Sequence, residues 1–158
     1  MTRYARYQGA IVRDAQILLI QQTHHDDGRS YWLIPGGGIE PGESEEACVA
    51  REMWEETSLR VRVAGLLLDE EGIPGGIYQR LKTYLCHVES GEAAPGYEPE
   101  EDAAAAYAIT AVAWFELADP ASWPAELRAD PFTAPLLNRI WQVFNVAQPT
   151  LSGTAEQP

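Results

Sequence analysis

The feature that most constrains this chain is a run of three glycines followed closely by a helix-sized, carboxylate-rich segment, GGGIEPGESEEACVAREMWEETSL. Ser44 is a suitable N-cap, and the glutamates after it favour the positive end of a helix dipole. The sequence therefore predicts a helix that begins after Ser44. Because Gly36–Gly38 carry no side chains, their backbone can approach another group closely. Together these residues predict a glycine loop joined to an acidic helix.

Three glutamates of this helix, Glu52, Glu55 and Glu56, are spaced i, i+3 and i+4 and share one side. Two carboxylates about 6 Å apart repel by roughly 3 kcal/mol at an effective dielectric of about 20. A hard cation such as Mg²⁺ or Mn²⁺ prefers oxygen ligands and would turn this repulsion into binding. A solvated acidic helix face is the alternative that these glutamates alone leave open. The opposite side, expected to pack on a sheet, carries Ala47, Ala50, Met53, Trp54 and Thr57.

The spacing around these glutamates resembles the signature of the Nudix hydrolase family, a glycine, a glutamate, an Arg-Glu pair and a Glu-Glu pair at fixed distances. The flanking WLIPGG and AVAWFEL also suit that family, so the resemblance spans residues 8–146. Ser58 departs from the pattern, which has glycine there; a left-handed serine after a helix costs about 1 kcal/mol. The matching residues are Gly37, Glu43, Arg51, Glu52, Met53, Glu55, Glu56 and Leu59.

The resemblance implies hydrolysis, dependent on Mg²⁺ or Mn²⁺, of the pyrophosphate bond of a nucleoside diphosphate derivative. The substrate would be a nucleoside triphosphate, oxidised or not, or ADP-ribose or a nucleotide sugar. An ion pair between Arg51 and Glu43 would fix the loop on the helix. The catalytic residues implied are Glu43, Arg51, Glu52, Glu55 and Glu56, and the metal ligands are the Gly36 carbonyl with Glu52, Glu55 and Glu56.

Two roles within the implied site stay open. In some family members the residue matching Glu52 is the general base, whereas others use a residue outside the signature. Many members also take a further acidic ligand or base from a later loop. In YEPEED we favour Glu98 or Glu101 for that role, the alternative being a solvated acidic loop.

Candidate substrate-binding residues lie around the helix. Arg80 and Lys82 alternate along a predicted strand and so point to one face, although ordinary exposed charges would look the same. The full set of candidates is Arg29, Gly37, Gly38, Tyr78, Arg80 and Lys82.

The cues to substrate identity conflict. Pro74 lies near the position of a proline common in relatives that cleave ADP-ribose, and Tyr78 near that of a tyrosine common in relatives acting on dinucleoside polyphosphates. The short N-terminus favours a nucleoside triphosphate. The alternative to an enzyme is a Nudix-fold module that senses a nucleotide without cleaving it. Such modules typically lose signature carboxylates, and this chain keeps them, which favours the enzyme.

The remaining pattern predicts a single domain over 1–147, followed by a disordered tail over 148–158. Short strands and helices in mixed order indicate an α/β or α+β fold, which the resemblance sharpens to an α/β/α sandwich with a central mixed sheet. Predicted strands are Ala10–Arg13, Gln16–Gln22, Tyr31–Ile34, Leu59–Leu68, Ile77–Val88 and Tyr107–Leu117; Pro131–Val146 is a helix, and Asp69–Gly76 and Glu89–Ala106 are loops.

The overall composition narrows the partners. A formal net charge of −13 argues against binding to nucleic acid or anionic lipid, so the expected partner is a small nucleotide-like pyrophosphate. The sequence shows neither an apolar run of membrane-spanning length nor a signal peptide. Cys48 and Cys86 are too few for a disulfide framework, so we expect two reduced thiols in a cytoplasmic protein. A homodimer stays open.

Overall fold

The computed structural model describes residues 3–97, 99 and 101–147. Its strands are β1 (Arg3–Arg13), β2 (Gln16–His24), β3 (Ser30–Leu33), β4 (Gly36–Gly37), β5 (Arg60–Glu71), β6 (Tyr78–Ser90) and β7 (Tyr107–Glu116). Its helices are α1 (Glu45–Thr57), α2 (Glu101–Ala106), α3 (Ala125–Arg128) and α4 (Thr133–Ala147), with a 3-10 turn at Pro120–Ser122.

The sheet is mixed, as predicted. β1 runs parallel to β6, whereas β1–β2, β2–β3, β2–β7 and β5–β6 are antiparallel. The β1–β2 hairpin turns at Asp14 and Ala15, whose φ values of 52° and 61° are left-handed at both central positions. That geometry matches the twist of the strands it joins. The fold class expected from the sequence is therefore confirmed.

Helices cover the sheet on both faces. α1 packs with one buried cluster, which includes Ile11, Met53 and Cys86. α4 packs with the other, which includes Leu19, Leu137 and Ile140. Both cysteines are buried free thiols, in agreement with the sequence-based expectation. Among the described residues, no helix has both the length and the apolar character that crossing a bilayer would require.

Several element limits differ from those predicted. β1 begins at Arg3 rather than at Ala10, because its polar first half gains a parallel ladder from β6, with Arg6 opposite Leu81. The expected loop Glu89–Ala106 ends in α2, and the expected turn from Asp69 begins with the last residues of β5. α3 and the 3-10 turn were not predicted, since elements this short have no periodicity to read. The domain limits stay a prediction, because residues 148–158 lie outside the described part.

Candidate active site

The carboxylate face of α1 is turned into the molecule, so the expectation that it points away from the core is wrong. Glu52 is 5% exposed and Glu56 1%, whereas Trp54, expected inside, is 45% exposed. At about 100° per residue, Glu52, Glu56 and Met53 fall within a single arc of roughly 100°. Burying Met53 therefore buries both glutamates. Ala47, also expected in the core, is exposed.

The glycine loop receives these two glutamates. The Gly36 N–H donates to Glu56 Oε1 at 2.7 Å. A Cβ on Gly37 would lie 2.5 Å from Glu52 Oε1, and one on Gly36 would lie 2.5 Å from the carbonyl oxygen of Tyr7. Both positions therefore require glycine for close approach, on one side to β1 and on the other to the helix.

The two ends of α1 follow the sequence prediction. Ser44 Oγ accepts a hydrogen bond from the Ala47 N–H at 3.1 Å, which makes Ser44 the N-cap. Ser58 ends the helix with φ 65° and ψ 14°, and its N–H donates to the Trp54 carbonyl at 3.1 Å. Serine therefore adopts the left-handed conformation that glycine would take more cheaply. The departure at this position leaves the helix terminus intact.

Arg51 joins the loop to the helix through the predicted ion pair with Glu43. Its Nε donates to Glu43 Oε2 at 2.8 Å and its Nη2 to Glu43 Oε1 at 3.0 Å. Nη2 also donates to the Gly38 carbonyl at 3.0 Å. Nη1 is shared by Glu52 Oε1 at 3.0 Å and Glu55 Oε2 at 3.2 Å. One guanidinium thus holds three carboxylates and the loop backbone together.

The pKa values of Glu43 and Glu52 are shifted in opposite directions. The hydrogen bond from Arg51 holds the pKa of Glu43 below its usual value. Burial raises the pKa of Glu52 to about 7, against the opposing effect of the Arg51 charge. The bonded Glu43 in turn raises the pKa of Arg51. Glu43 is therefore the anion that pairs with Arg51. For Glu52, the nearby positive charge does not offset the cost of burying its carboxylate.

The donor set suits a hard divalent cation. Mg²⁺ and Mn²⁺ prefer oxygen ligands. Glu52, Glu55 and Glu56 supply such ligands beside the glycine loop. Such an ion would also relieve the unfavourable burial of Glu52. Across the described residues, no three His, Cys, Asp or Glu side chains are already gathered as a metal-binding group. Glu52 and Glu55 instead converge on Arg51, so ion binding requires them to turn from it.

A later segment lies against the C-terminal end of α1. The Gly96 N–H donates to the Glu56 carbonyl at 2.9 Å, and the Tyr97 N–H donates to the Glu55 carbonyl at 3.0 Å. The chain thus passes the end of the helix where YEPEED begins. Glu98 lies outside the described residues. Glu101 begins α2 and is exposed, so its proposed role as a ligand stays a prediction.

The two basic candidates on β6 are each engaged by a carboxylate. Arg80 Nη2 contacts Asp69 Oδ1 at 2.8 Å, and Lys82 Nζ contacts Glu45 Oε2 at 3.1 Å. Tyr84 also donates to Glu45. Both cations therefore form ion pairs within the protein, whereas the alternative from the sequence was ordinary exposed charges. Contact of either residue with a substrate stays a prediction.

The other two substrate candidates lie at the margins of strands. Arg29 is exposed in the loop between β2 and β3, with its guanidinium carbon 5.6 Å from the centre of the Tyr31 ring. Tyr78 is half-buried at the first position of β6. No contact joins either residue directly to the carboxylate cluster among those described, so their roles stay predictions.

An open cleft of about 710 Å³ is lined by residues that include Gln8 and Ile34. Arg6 lines this cleft, and its Nη2 donates to the Ile34 carbonyl at 2.8 Å. The positive charge of Arg6 lowers the pKa of Glu52, against the larger effect of burial. Sequence reasoning missed Arg6 because it started β1 too late. The alternation of Arg6 and Gln8 in RYARYQG was the available signal, since residues two apart on a strand share a face. Aromatic and apolar walls come from Tyr31, Trp32, Leu33, Ile73, Pro74, Phe132 and Leu136.

Comparison with known proteins identifies the family of this chain. The family model described as the NUDIX domain matches residues 3–138, so the chain belongs to the Nudix family. Proteins of this family act on pyrophosphate bonds of nucleoside diphosphate derivatives.

Individual relatives share parts of the chain. It is 36% identical over 95 residues to an NAD-capped RNA hydrolase NudC from Photobacterium profundum, covering 60% of this chain and 34% of the relative. It is 46% identical over 56 residues to a MutT-like protein from Streptomyces ambofaciens, covering 35% of this chain and 34% of the relative. The chain thus spans only about a third of each. A crystal structure of a MutT NUDIX hydrolase from Burkholderia pseudomallei aligns with TM-score 0.64 and 30% identity, covering 89% of this chain and 97% of that one.

Proposed function

We propose that this protein is a Mg²⁺-dependent hydrolase that cleaves the phosphoanhydride bond of a nucleoside triphosphate or another nucleoside diphosphate derivative. The observation that carries the proposal is the burial of Glu52 and Glu56 against a glycine loop. Burying charged groups is unfavourable unless they are paired or bind a metal. A helix placed only to stabilise the fold would present apolar side chains there.

The residues of the site divide the work as follows. Glu52, Glu55 and Glu56 would hold the cation, together with the carbonyl of Gly36. When bound, the divalent ion supplies a counter-charge for the phosphates and lowers the pKa of a water. Arg51 keeps the carboxylates close together and, through Glu43 and the Gly38 carbonyl, keeps the loop at the helix. A carboxylate of the set takes the proton of the attacking water.

The cleft lined by Arg6 would receive the nucleoside. Trp32 and Phe132 line it, and aromatic rings offer flat apolar surface to a base. Arg6 lines this cleft and its charge acts on Glu52. A guanidinium can donate two hydrogen bonds to a phosphate. In a chain of formal net charge −13, a cation at this point favours an anionic substrate.

Phosphate release from a panel of substrates tests the reaction. The panel contains nucleoside triphosphates, deoxynucleoside triphosphates with an oxidised guanine member, ADP-ribose and a nucleotide sugar, each with Mg²⁺ or with EDTA. A phosphatase is added for products that are monoesters. We expect Mg²⁺-dependent turnover of at least one member. No turnover of any member, together with tight calorimetric binding of a nucleotide, would favour the sensor module instead.

Substitution of Arg6 tests the cleft separately. Arg6→Gln is expected to raise KM by roughly tenfold or more, because a charge-assisted contact to phosphate is lost. Arg128→Gln, which removes an exposed arginine on α3, is the matched control and should leave KM unchanged. An unchanged KM in Arg6→Gln would remove the cleft from the proposal without removing the metal site.

A further inference from the structure

Gln22 on β2 is a buried polar residue of the cleft that the proposed function leaves unused. It is 9% exposed and belongs to the lining of the cleft. Within the described part of the chain, its side-chain amide has no hydrogen-bond partner. Buried polar groups are normally paired, so each exception calls for an explanation. A ligand that supplies the missing partner is one such explanation.

Two nearby glutamines show how Gln22 differs. Gln8 Nε2 donates to Thr83 Oγ1 at 2.9 Å. Gln21 Oε1 accepts a hydrogen bond from Thr110 Oγ1 at 3.2 Å. The fold itself therefore engages both of these amides, whereas it leaves the amide of Gln22 available to a group that enters the cleft.

The strand geometry directs Gln22 into the cleft beside an aromatic ring. In the ladder with β7, the register shifts between Gln21 and Gln22, so that Thr110 is skipped. Such a bulge changes the direction of the neighbouring side chains. On its other side, Gln22 lies directly opposite Tyr31 of β3, and residues paired in this way share one face of the sheet. Both side chains line the cleft, so an amide and a ring adjoin the same open volume.

The surroundings of Gln22 have the chemistry that a nucleobase requires. Phe132 and Tyr31 line the cleft and keep 55% and 38% of their surface exposed. Exposed aromatic rings offer a flat apolar surface to a base. A side-chain amide carries a donor next to an acceptor, and it pairs with an adjacent acceptor and donor on a base edge, as glutamine does with adenine. A phosphate group offers only acceptors and would leave the amide oxygen unpaired.

We propose that Gln22 binds the base of the substrate through its side-chain amide. The residue thereby selects nucleotides over pyrophosphates that have no base. The inference rests on the proposed function in one respect, namely that the cleft receives the nucleoside. It does not depend on the metal site, because base binding requires no bond to be cleaved.

Calorimetric binding of nucleoside monophosphates to the full chain tests this role without turnover. The probes are AMP, GMP, CMP and UMP, and ribose 5-phosphate is the reference without a base. We expect at least one nucleotide to bind about tenfold or more tightly than ribose 5-phosphate. Gln22→Met keeps the approximate shape of the side chain and removes the amide. It should weaken binding of that nucleotide on the order of tenfold and leave ribose 5-phosphate binding unchanged.

The neighbouring substitution Gln21→Met is the matched control. Among the described residues, Gln21 is not part of the cleft lining, and its amide is bonded to Thr110. Nucleotide affinity in Gln21→Met should equal that of the wild type. The melting temperature of Gln22→Met should be no lower than that of the wild type, because an apolar side chain replaces an unpaired buried amide.

Three results would overturn the proposal. One is a wild type that binds every nucleotide no more tightly than ribose 5-phosphate. Another is unchanged nucleotide affinity in Gln22→Met. The third is a lower melting temperature in Gln22→Met with equal losses of affinity for nucleotide and ribose 5-phosphate, which would assign the amide to the fold. Failure of the proposed function would look different, since nucleotides would then bind in a manner that depends on Gln22 but would not be hydrolysed with Mg²⁺.

Discussion

The helices on the two faces of the sheet are buried in different ways. α4 turns Leu137 and Ile140 inward, each fully buried among apolar neighbours. α1 turns Met53 inward together with Glu52 and Glu56. Apolar burial stabilises a fold, whereas burying a carboxylate opposes its ionisation. We infer that α4 serves the stability of the fold, whereas α1 would give up stability for the proposed cation site.

The largest expected effect is on turnover in Glu56→Gln. The amide oxygen can still accept the hydrogen bond from the Gly36 N–H, so the variant removes charge while preserving the fold. We expect Mg²⁺-dependent kcat to fall on the order of a hundredfold to thousandfold, as when a group that stabilises the transition state is lost. Steady-state kinetics and the melting temperature are measured together. Wild-type kcat in a folded variant would contradict the proposed role of Glu56 and the difference in role between α1 and α4.

The counterpart on the other face is Leu137→Ala. Removing a fully buried leucine should lower the free energy of unfolding by about 2–5 kcal/mol. The KM of the folded fraction should not change, because the Leu137 side chain packs in the apolar core and not at the carboxylate site. Urea unfolding and steady-state kinetics check both parts. A selective loss of catalysis in this variant, with full stability, would contradict the division of roles.

The pH dependence of the free energy of unfolding tests the burial of Glu52 in α1. The folded-state pKa of Glu52 is raised to about 7 from 4.5, so the folded protein binds more protons than the unfolded chain in this range. Stability from this residue is therefore lost as pH rises from about 4.5 to above 7, by up to about 3 kcal/mol. Unfolding of the wild type and of Glu52→Gln is compared at pH 5 and pH 8 in EDTA.

We expect the wild type to lose more stability than Glu52→Gln over that interval. Glu43 and Glu45 have lowered pKa values and act in the opposite direction, since their contribution is lost as pH falls, but both proteins share them. Added Mg²⁺ should reduce the difference at pH 8. An equal change in the free energy of unfolding with pH in the two proteins would show that burial does not disfavour the ionised form of Glu52.

The smallest expected effect is at the end of α1. Ser58→Gly should raise the free energy of unfolding by about 1 kcal/mol, because φ is 65° there and glycine adopts this conformation without strain. Ser90→Gly, at the exposed end of β6, is the matched control and should not stabilise. Thermal unfolding compares the two. Stabilisation in both variants, or in neither, would contradict the account of this helix terminus.

The parts of the site that the sequence predicted are those set by local chemistry. The Ser44 cap and the left-handed Ser58 depend on residues close together in the chain, and both are present. The Arg51–Glu43 pair, which the family resemblance implied, is present as well. The predicted orientation of Glu52 and Glu56 was wrong, because the orientation depends on what the helix packs against. Fixed spacing states which side chains share a face, but not whether that face meets solvent.

The cleft could not be predicted, for a related reason. Its walls come from strands and loops far apart in sequence, and Arg6 enters it only because β1 extends along β6 before Ala10. That extension depends on the partner strand and not on the apolar pattern of RYARYQG. The alternation of Arg6 and Gln8 is a local signal for a strand, but it does not show which distant strand pairs with it.

Mn²⁺ binding, measured by electron paramagnetic resonance, tests whether Glu52 and Glu56 hold a divalent cation. The wild type should bind Mn²⁺, and Glu52→Gln and Glu56→Gln should each weaken binding by roughly tenfold or more. Glu46→Gln, an exposed position in the first turn of α1, is the control and should bind as the wild type does. Equal Mn²⁺ affinity in all four proteins would contradict the claim that α1 buries its glutamates to hold a cation.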